Sequence, residues 1–200
     1  ESHLFGATMA RRKVQFAVGE YYHIYNRGCD KGKIFLADEN YDFLLRLLEV
    51  RVREFHTTVI AYCLMPNHYH FLLRQDNDKS AGAMIQSLFN SYTKAFNSMY
   101  GRTGTLFEGP FKAIHVDKEH YLLHLSRYIH RNPLEAGLVH DLELWRYSNY
   151  LEWIKKRDSI FVDRSFVESS FASPTSYVQF VHEYEAPEKL KRALRKYVID

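Results

Sequence analysis

The chain has 200 residues, 46% of them hydrophobic, and a formal net charge of +3; that length and composition can bury one sizeable core with an extension to spare. No apolar run approaches the roughly 18 residues of a membrane-spanning helix, and residues 1–8 lack the basic-then-apolar pattern of a secretory signal. The charge permits nucleic-acid binding without demanding it. The two cysteines, Cys29 and Cys63, sit on separate predicted segments and read as reduced thiols of a cytoplasmic protein rather than a disulfide framework.

Residues 1–17 read as an N-terminal tail, the first eight as an artificial leader before a natural Met9, with a basic cluster at Arg11-Arg12-Lys13. Residues 19–27, rich in aromatic and β-branched side chains, predict a first strand. Asp38 is expected to cap a helix in which Tyr41, Leu44, Leu45, Leu48, Val52 and Phe55 keep the helical period. Residues 59–64 and 68–74 read as two strands joined by a turn at Pro66-Asn67. A second helix is expected over 80–100, with Met84, Leu88, Tyr92, Ala95 and Met99 on one face and Gly101 as its stop. Residues 111–116 predict a fourth strand, and 118–132 a third helix that Asp117 caps and Pro133 ends.

Past Gly137 the pattern loosens. Residues 140–200 read as a helical appendage, with one helix over 173–184 and a basic C-terminal helix carrying Lys189, Lys191, Arg192, Arg195 and Lys196. The order β-α-β-β-α-β, then α, predicts an α+β ferredoxin-like sandwich over residues 18–139: an antiparallel sheet with helices packed on one face.

Two groups of residues carry chemistry. In Met65-Pro66-Asn67-His68-Tyr69-His70-Phe71-Leu72 the alternation of a strand puts His68 and His70 on one face and Tyr69 and Phe71 on the other. Two imidazoles side by side on a rigid strand are half of a metal site, although such a pair also occurs on apolar strands without function. In the third helix, Leu122, Leu125 and Ile129 mark the core face, while His124, Tyr128 and Asn132 stack at i, i+4 and i+8 on a neighbouring one. That spacing presents a phenol and an amide in adjacent turns. It equally suits a plain amphipathic helix with a half-packed tyrosine and an asparagine cap.

Taken together, the His-hydrophobic-His pair and the helical Tyr-x-x-x-Asn resemble the signature of the single-tyrosine HUH transposases, and the surrounding chain resembles their REP-associated tyrosine transposase branch. Four stretches in the family's order carry the likeness over roughly residues 18–150: Tyr22-His23-Ile24-Tyr25-Asn26-Arg27-Gly28, Met65-Pro66-Asn67-His68-Tyr69-His70, Tyr100-Gly101-Arg102-Thr103-Gly104-Thr105-Leu106-Phe107-Glu108-Gly109, and Tyr128-Ile129-His130-Arg131-Asn132-Pro133 with the residues through Val139.

The resemblance implies a histidine pair on a central strand beneath the tyrosine helix. His68, His70 and Asn132 would hold a divalent metal, Mg²⁺ or Mn²⁺, and two nitrogens with one amide oxygen suit such an ion while leaving positions open for phosphate. Tyr128 would be the catalytic nucleophile of a single-stranded DNA endonuclease and strand transferase, acting on palindromic hairpins through a 5′-phosphotyrosine. Arg27, Arg102 and Lys112 lie in or near the matching motifs and are the candidate DNA contacts. The expected partner is single-stranded or hairpin DNA, not a membrane, with a monomer favoured over a dimer. Two other readings use fewer of these residues: a metal-dependent hydrolase with water as nucleophile, and a non-catalytic nucleic-acid-binding module.

Overall fold

The computed structural model describes residues 14–183. Runs of β-branched and aromatic residues form four strands, β1 (Tyr21–Arg27), β2 (Thr57–Met65), β3 (His68–Gln75) and β4 (Lys112–Val116). They pair antiparallel in the order β2-β3-β1-β4. Met65 pairs with His68, so Pro66 and Asn67 are the hairpin turn. With α1 (Asp38–Phe55) and α2 (Ala81–Met99) as crossovers, this is the expected ferredoxin-like arrangement.

As expected, α1 and α2 share one face, over Tyr22, Ile24, Tyr62, Leu64, Tyr69 and Phe71. The opposite face is covered as well. There α3 (Glu119–Glu135) and the short helices α4 (Tyr150–Trp153), α5 (Ser165–Ser170) and α6 (Pro174–His182) bury Ile60, Cys63, Met65 and Leu72. The sheet is a middle layer. Burial on both sides explains why β2 and β3 read as nearly unbroken apolar runs.

Helix ends depart from the sequence expectation. Asp38 is the first residue of α1 rather than its cap; Ala37 holds the cap position, and Asn40 Oδ1 accepts the N–H groups of Leu36 and Ala37 at 2.9 and 3.1 Å. On α2 the buried stripe runs through Phe96 instead of Ala95 and Met99, and Met99 is 62% exposed. Gly101 does stop that helix: its φ of +60° lets the Arg102 N–H donate back to Asn97 O at 2.8 Å. Asp117 does not cap α3, since Lys118 occupies the cap position without a side-chain bond, and the helix continues through Pro133 to Glu135.

Residues 14–17 of the expected tail pack on the sheet. Ala17 N–H donates to Tyr22 Oη at 2.7 Å, that hydroxyl donates to Gln15 O at 3.1 Å, and the Phe16 ring lies 4.5 Å from Tyr22's. Arg11-Arg12-Lys13, Tyr184 and the basic residues from Lys189 to Lys196 fall outside the described residues.

Residues after α3 close the outer edge of β2. Leu64 N–H donates to Tyr147 O at 2.9 Å, Tyr62 N–H to Asn149 Oδ1 at 2.6 Å, and Asp163 N–H to Val59 O at 3.3 Å. The pairing of β2 with β3 shifts between Val59 and Ala61, and the displaced Ile60 carbonyl accepts from Asn149 Nδ2 at 2.8 Å and Trp153 Nε1 at 3.0 Å. Asn149 Oδ1 also lies 2.9 Å from His130 Nε2 on α3, and His130 Nδ1 lies 2.6 Å from the Tyr177 hydroxyl on α6. Neutral His130 fits both contacts, donating from Nε2 and accepting at Nδ1.

His130 is fully buried, and burial pushes its pKa from 6.5 down to about 4, against a smaller opposing effect of Asn149. Above pH 6.5 both folded and unfolded states hold it neutral. Below that, the unfolded chain takes up a proton that the folded one refuses, so stability falls with pH by up to about 1.4 kcal/mol per unit until about pH 4. Urea unfolding of wild type and His130→Gln between pH 7.5 and 4.5 is expected to show a slope shallower by one proton in the variant; parallel slopes would mean that His130 is not held neutral.

Candidate metal and tyrosine site

The site begins with the alternation of β3, an inner strand between β1 and β2. Tyr69 and Phe71 point into the α1–α2 core, and His68 and His70 take the face that α3 covers. Their rings meet edge to face with centroids 5.2 Å apart, and His70 is fully buried while His68 is half-buried. On α3, Leu122, Leu125 and Ile129 anchor the helix to the sheet. That seating turns Tyr128 inward, and its ring stands edge-on to His70 at 5.5 Å.

Asn132 stands one turn beyond Tyr128, just before the proline within α3. Pro133 has no N–H, so the carbonyl of Ile129 loses its helical donor. The Asn132 amide folds back instead, donating from Nδ2 to Tyr128 O at 2.8 Å and reaching Ile129 O at 3.5 Å. With its nitrogen engaged on the helix, Asn132 lies beside His68, and its side chain favours protonation of that imidazole. Nδ1 of the ring lies 2.7 Å from Asn67 Oδ1. The structure thus brings His68, His70, Tyr128 and Asn132 together within one chain.

Burial pushes the pKa of His68 down, with Asn132 opposing it, and burial together with the neighbouring imidazoles holds His70 well below its ordinary value. Both rings are neutral near pH 7, the form that binds metals. His70 Nε2 is buried with no hydrogen-bond partner, a cost that a cation would remove. Among the described residues no three His, Cys, Asp or Glu side chains gather to hold a metal. The Asn132 side chain beside His68 adds an amide oxygen to the two imidazoles as a candidate donor set. The donor set fits a divalent ion with open positions.

The candidate DNA contacts divide. Arg27, opposite His68 on β1, is ion-paired with Glu108. Lys112, opposite Tyr25 on the edge strand β4, holds its ammonium 6.0 Å from the Tyr25 ring, itself 6.0 Å from His70. Both border the histidine face. Arg102 does not: it follows α2 in the other layer, with its guanidinium 5.6 Å from the Phe96 ring. Arg127 and His124, neighbours of Tyr128 in sequence, are bound to each other at 2.9 Å, and Arg127 also donates to Phe180 O on α6 at 3.2 Å. Burial, aided by Arg127, lowers the His124 pKa to about 4.

Sequence reasoning missed His23. It is fully buried, and its Nε2 lies 3.0 Å from His70 Nδ1. Strand alternation could group it with Tyr21 and Tyr25, but its meeting with His70 depends on the register of β1 against β3.

The sequence model of the IS200-like transposase family matches residues 17–132, more than half of the chain. The chain belongs to that family. It is a transposase, an enzyme that nicks and joins DNA. A REP-associated tyrosine transposase solved bound to a REP hairpin shares the fold, with a TM-score of 0.60 at 15% identity over 78% of this chain and 98% of that one. A proposed transposase from Deinococcus radiodurans R1 matches at 20% identity over 59% of this chain and 95% of its own, with a TM-score of 0.42. The tRNA(His) guanylyltransferase of Saccharomyces cerevisiae matches at 11% identity over 94% and 83%, with a TM-score of 0.43. No curated protein matches the sequence significantly.

An ion held by these side chains would bind the folded chain and not the unfolded one. At a hundredfold excess over Kd it adds about 2.7 kcal/mol, a rise of roughly 5–10 °C in Tm for a chain of this size. Thermal melts with Mn²⁺ are expected to show that rise in wild type and to lose it in His68→Ala and His70→Ala; a rise that persists in both variants puts the ion elsewhere.

Proposed function

We propose that this transposase is a metal-dependent single-stranded DNA endonuclease and strand transferase of the REP-associated kind, with Tyr128 as its nucleophile. The observation that carries the reading is the placement of the Tyr128 ring against His70, beside His68 and Asn132, all from one chain. His68, His70 and Asn132 would hold Mg²⁺ or Mn²⁺, which when bound offsets negative charge developing on a DNA phosphate. Tyr128 gives up its phenolic proton and its oxygen attacks phosphorus. The P–O3′ bond breaks, the 3′ oxygen leaves with the bonding pair and takes a proton, and the 5′-phosphate stays on Tyr128. The new ester retains the bond's energy, so attack by another 3′-hydroxyl reverses the step without ATP.

The remaining chain supports this reading in three ways. Tyr128 is half-buried beside His70, and a phosphate of an unpaired strand reaches such a phenol more readily than one of a duplex. Arg27 and Lys112 border the histidine face and are the proposed backbone contacts. A hairpin substrate is supported by the solved REP-associated relative, which was bound to a REP hairpin.

A monomer acting in cis is supported by the position of Tyr128 over its own chain's histidines and by the residues that close the β2 edge. Residues 18–139 would then be the catalytic domain and 140–200 an appendage on it.

The test uses labelled single-stranded hairpin DNA with Mn²⁺ or Mg²⁺ and a denaturing gel. A protein-linked DNA band is expected with wild type and none with Tyr128→Phe, whose cleavage falls at least about a thousandfold. Cleavage by the variant at the wild-type rate, with no linked band in either protein, would make water the nucleophile and overturn the proposal.

A further inference from the structure

Tyr128 and His130 flank Ile129 on α3. At 3.6 residues per turn they leave the helix about 200° apart. Ile129 faces the sheet, Tyr128 goes to one side against His70, and His130 goes to the other, towards the outer edge of β2. Rolling α3 about its axis would therefore raise one of the two as it lowered the other. Leu122, Leu125 and Ile129 seat the helix by apolar contact, which is non-directional and permits such a roll. A hydrogen bond, by contrast, weakens steeply as its angle closes, so it resists turning.

The polarity of the bonds around His130 is fixed from the backbone outward. Asn149 Oδ1 accepts the Tyr62 N–H at 2.6 Å and Nδ2 donates to Ile60 O at 2.8 Å, and neither backbone group can exchange roles. The amide therefore has one orientation, and its oxygen accepts from His130 Nε2 at 2.9 Å. His130 Nδ1 is left to accept from the Tyr177 hydroxyl at 2.6 Å. All three side chains are fully buried, so water does not compete for these bonds. Arg127 and Arg131 donate to Phe180 O and Val181 O at 3.2 and 2.9 Å, and together with Tyr177 they hold α6 on α3. The bond to Asn149 differs from these: through it the helix is referenced to the backbone of β2.

We infer that His130 is a positioning residue for Tyr128: bonded to Asn149, it sets the roll of α3 at which the phenol meets His70. The inference rests on the proposed reading of Tyr128 as nucleophile. It also makes the segment after α3 part of the reacting geometry, because Asn149 and Tyr177 lie there. Attack on phosphorus needs an aligned oxygen, and a misplacement of about 1 Å can cost about a hundredfold in rate.

The test compares wild type, His130→Gln, Tyr177→Phe, and His130→Leu alone and together with Tyr177→Phe. The double variant replaces both ends of one bond with apolar groups while Asn149 keeps its two bonds to β2, so no buried donor or acceptor loses its last partner. At saturating hairpin DNA and Mn²⁺, the protein-linked band should form about a hundredfold more slowly in His130→Leu and in the double variant, with DNA affinity within about threefold of wild type. The nuclear Overhauser contact between the Tyr128 and His70 rings should weaken in parallel. His130→Gln, whose amide can donate to Asn149, and Tyr177→Phe, which keeps the His130–Asn149 bond, should both form the band within about threefold of the wild-type rate. Wild-type capture by the double variant overturns the inference, and so does a slowed reaction in which the Tyr128–His70 contact is unchanged. If the linked band survives Tyr128→Phe, the nucleophile assignment itself fails, and the role of His130 falls with it.

Discussion

A strand buried on both faces is the constraint on which the structure depends. β3 is flanked by β2 and β1 and covered above and below, so the side chains along its middle must suit a dry environment. Tyr69 and Phe71 do so as core residues. His68 and His70 do so only as neutral imidazoles, and burial enforces that state by pushing both pKa values down. The same desolvation that makes these polar rings expensive keeps their nitrogens unprotonated.

The helix above solves a matching problem. Proline within α3 leaves the Ile129 carbonyl without its helical donor, and the Asn132 amide nitrogen bonds Tyr128 O at 2.8 Å while reaching Ile129 O only at 3.5 Å. The bond to Tyr128 O holds the Asn132 side chain on the helix, beside His68. Local helix chemistry and site geometry meet in one residue: Asn132 bonds the carbonyl of Tyr128 one turn before it and stands beside His68.

Much of this was legible in the sequence wherever a short period carried the information. Alternation placed His68 and His70 on one face, the Pro66-Asn67 turn set the hairpin, and Leu122, Leu125 and Ile129 gave α3 its inward stripe. What escaped depends on contacts between distant segments. His23 meets His70 only through strand register. The cover on the far face was legible only in part: the helix expected over 173–184 is α6, whereas α4 and α5 are too short to show a helical period, and α4 is secured by Asn149 and Trp153 bonding a displaced carbonyl. Asp38 and Asp117 were plausible caps by residue type, but Asn40 fills that need for α1, and α3 starts without a side-chain cap. Pro133 reads as a stop, yet α3 runs on through it to Glu135.

The buried chain of Tyr177, His130 and Asn149 has a mechanical consequence. It moors the tyrosine helix at two points, to α6 and to the backbone of β2. Lifting α3 off the sheet would break both links, at about 1–3 kcal/mol for each buried group left unsatisfied. In a rejoining reaction at Tyr128 the protein would thus serve as a fixed anvil, and the exchange of one DNA end for another would be carried by movement of the strands themselves.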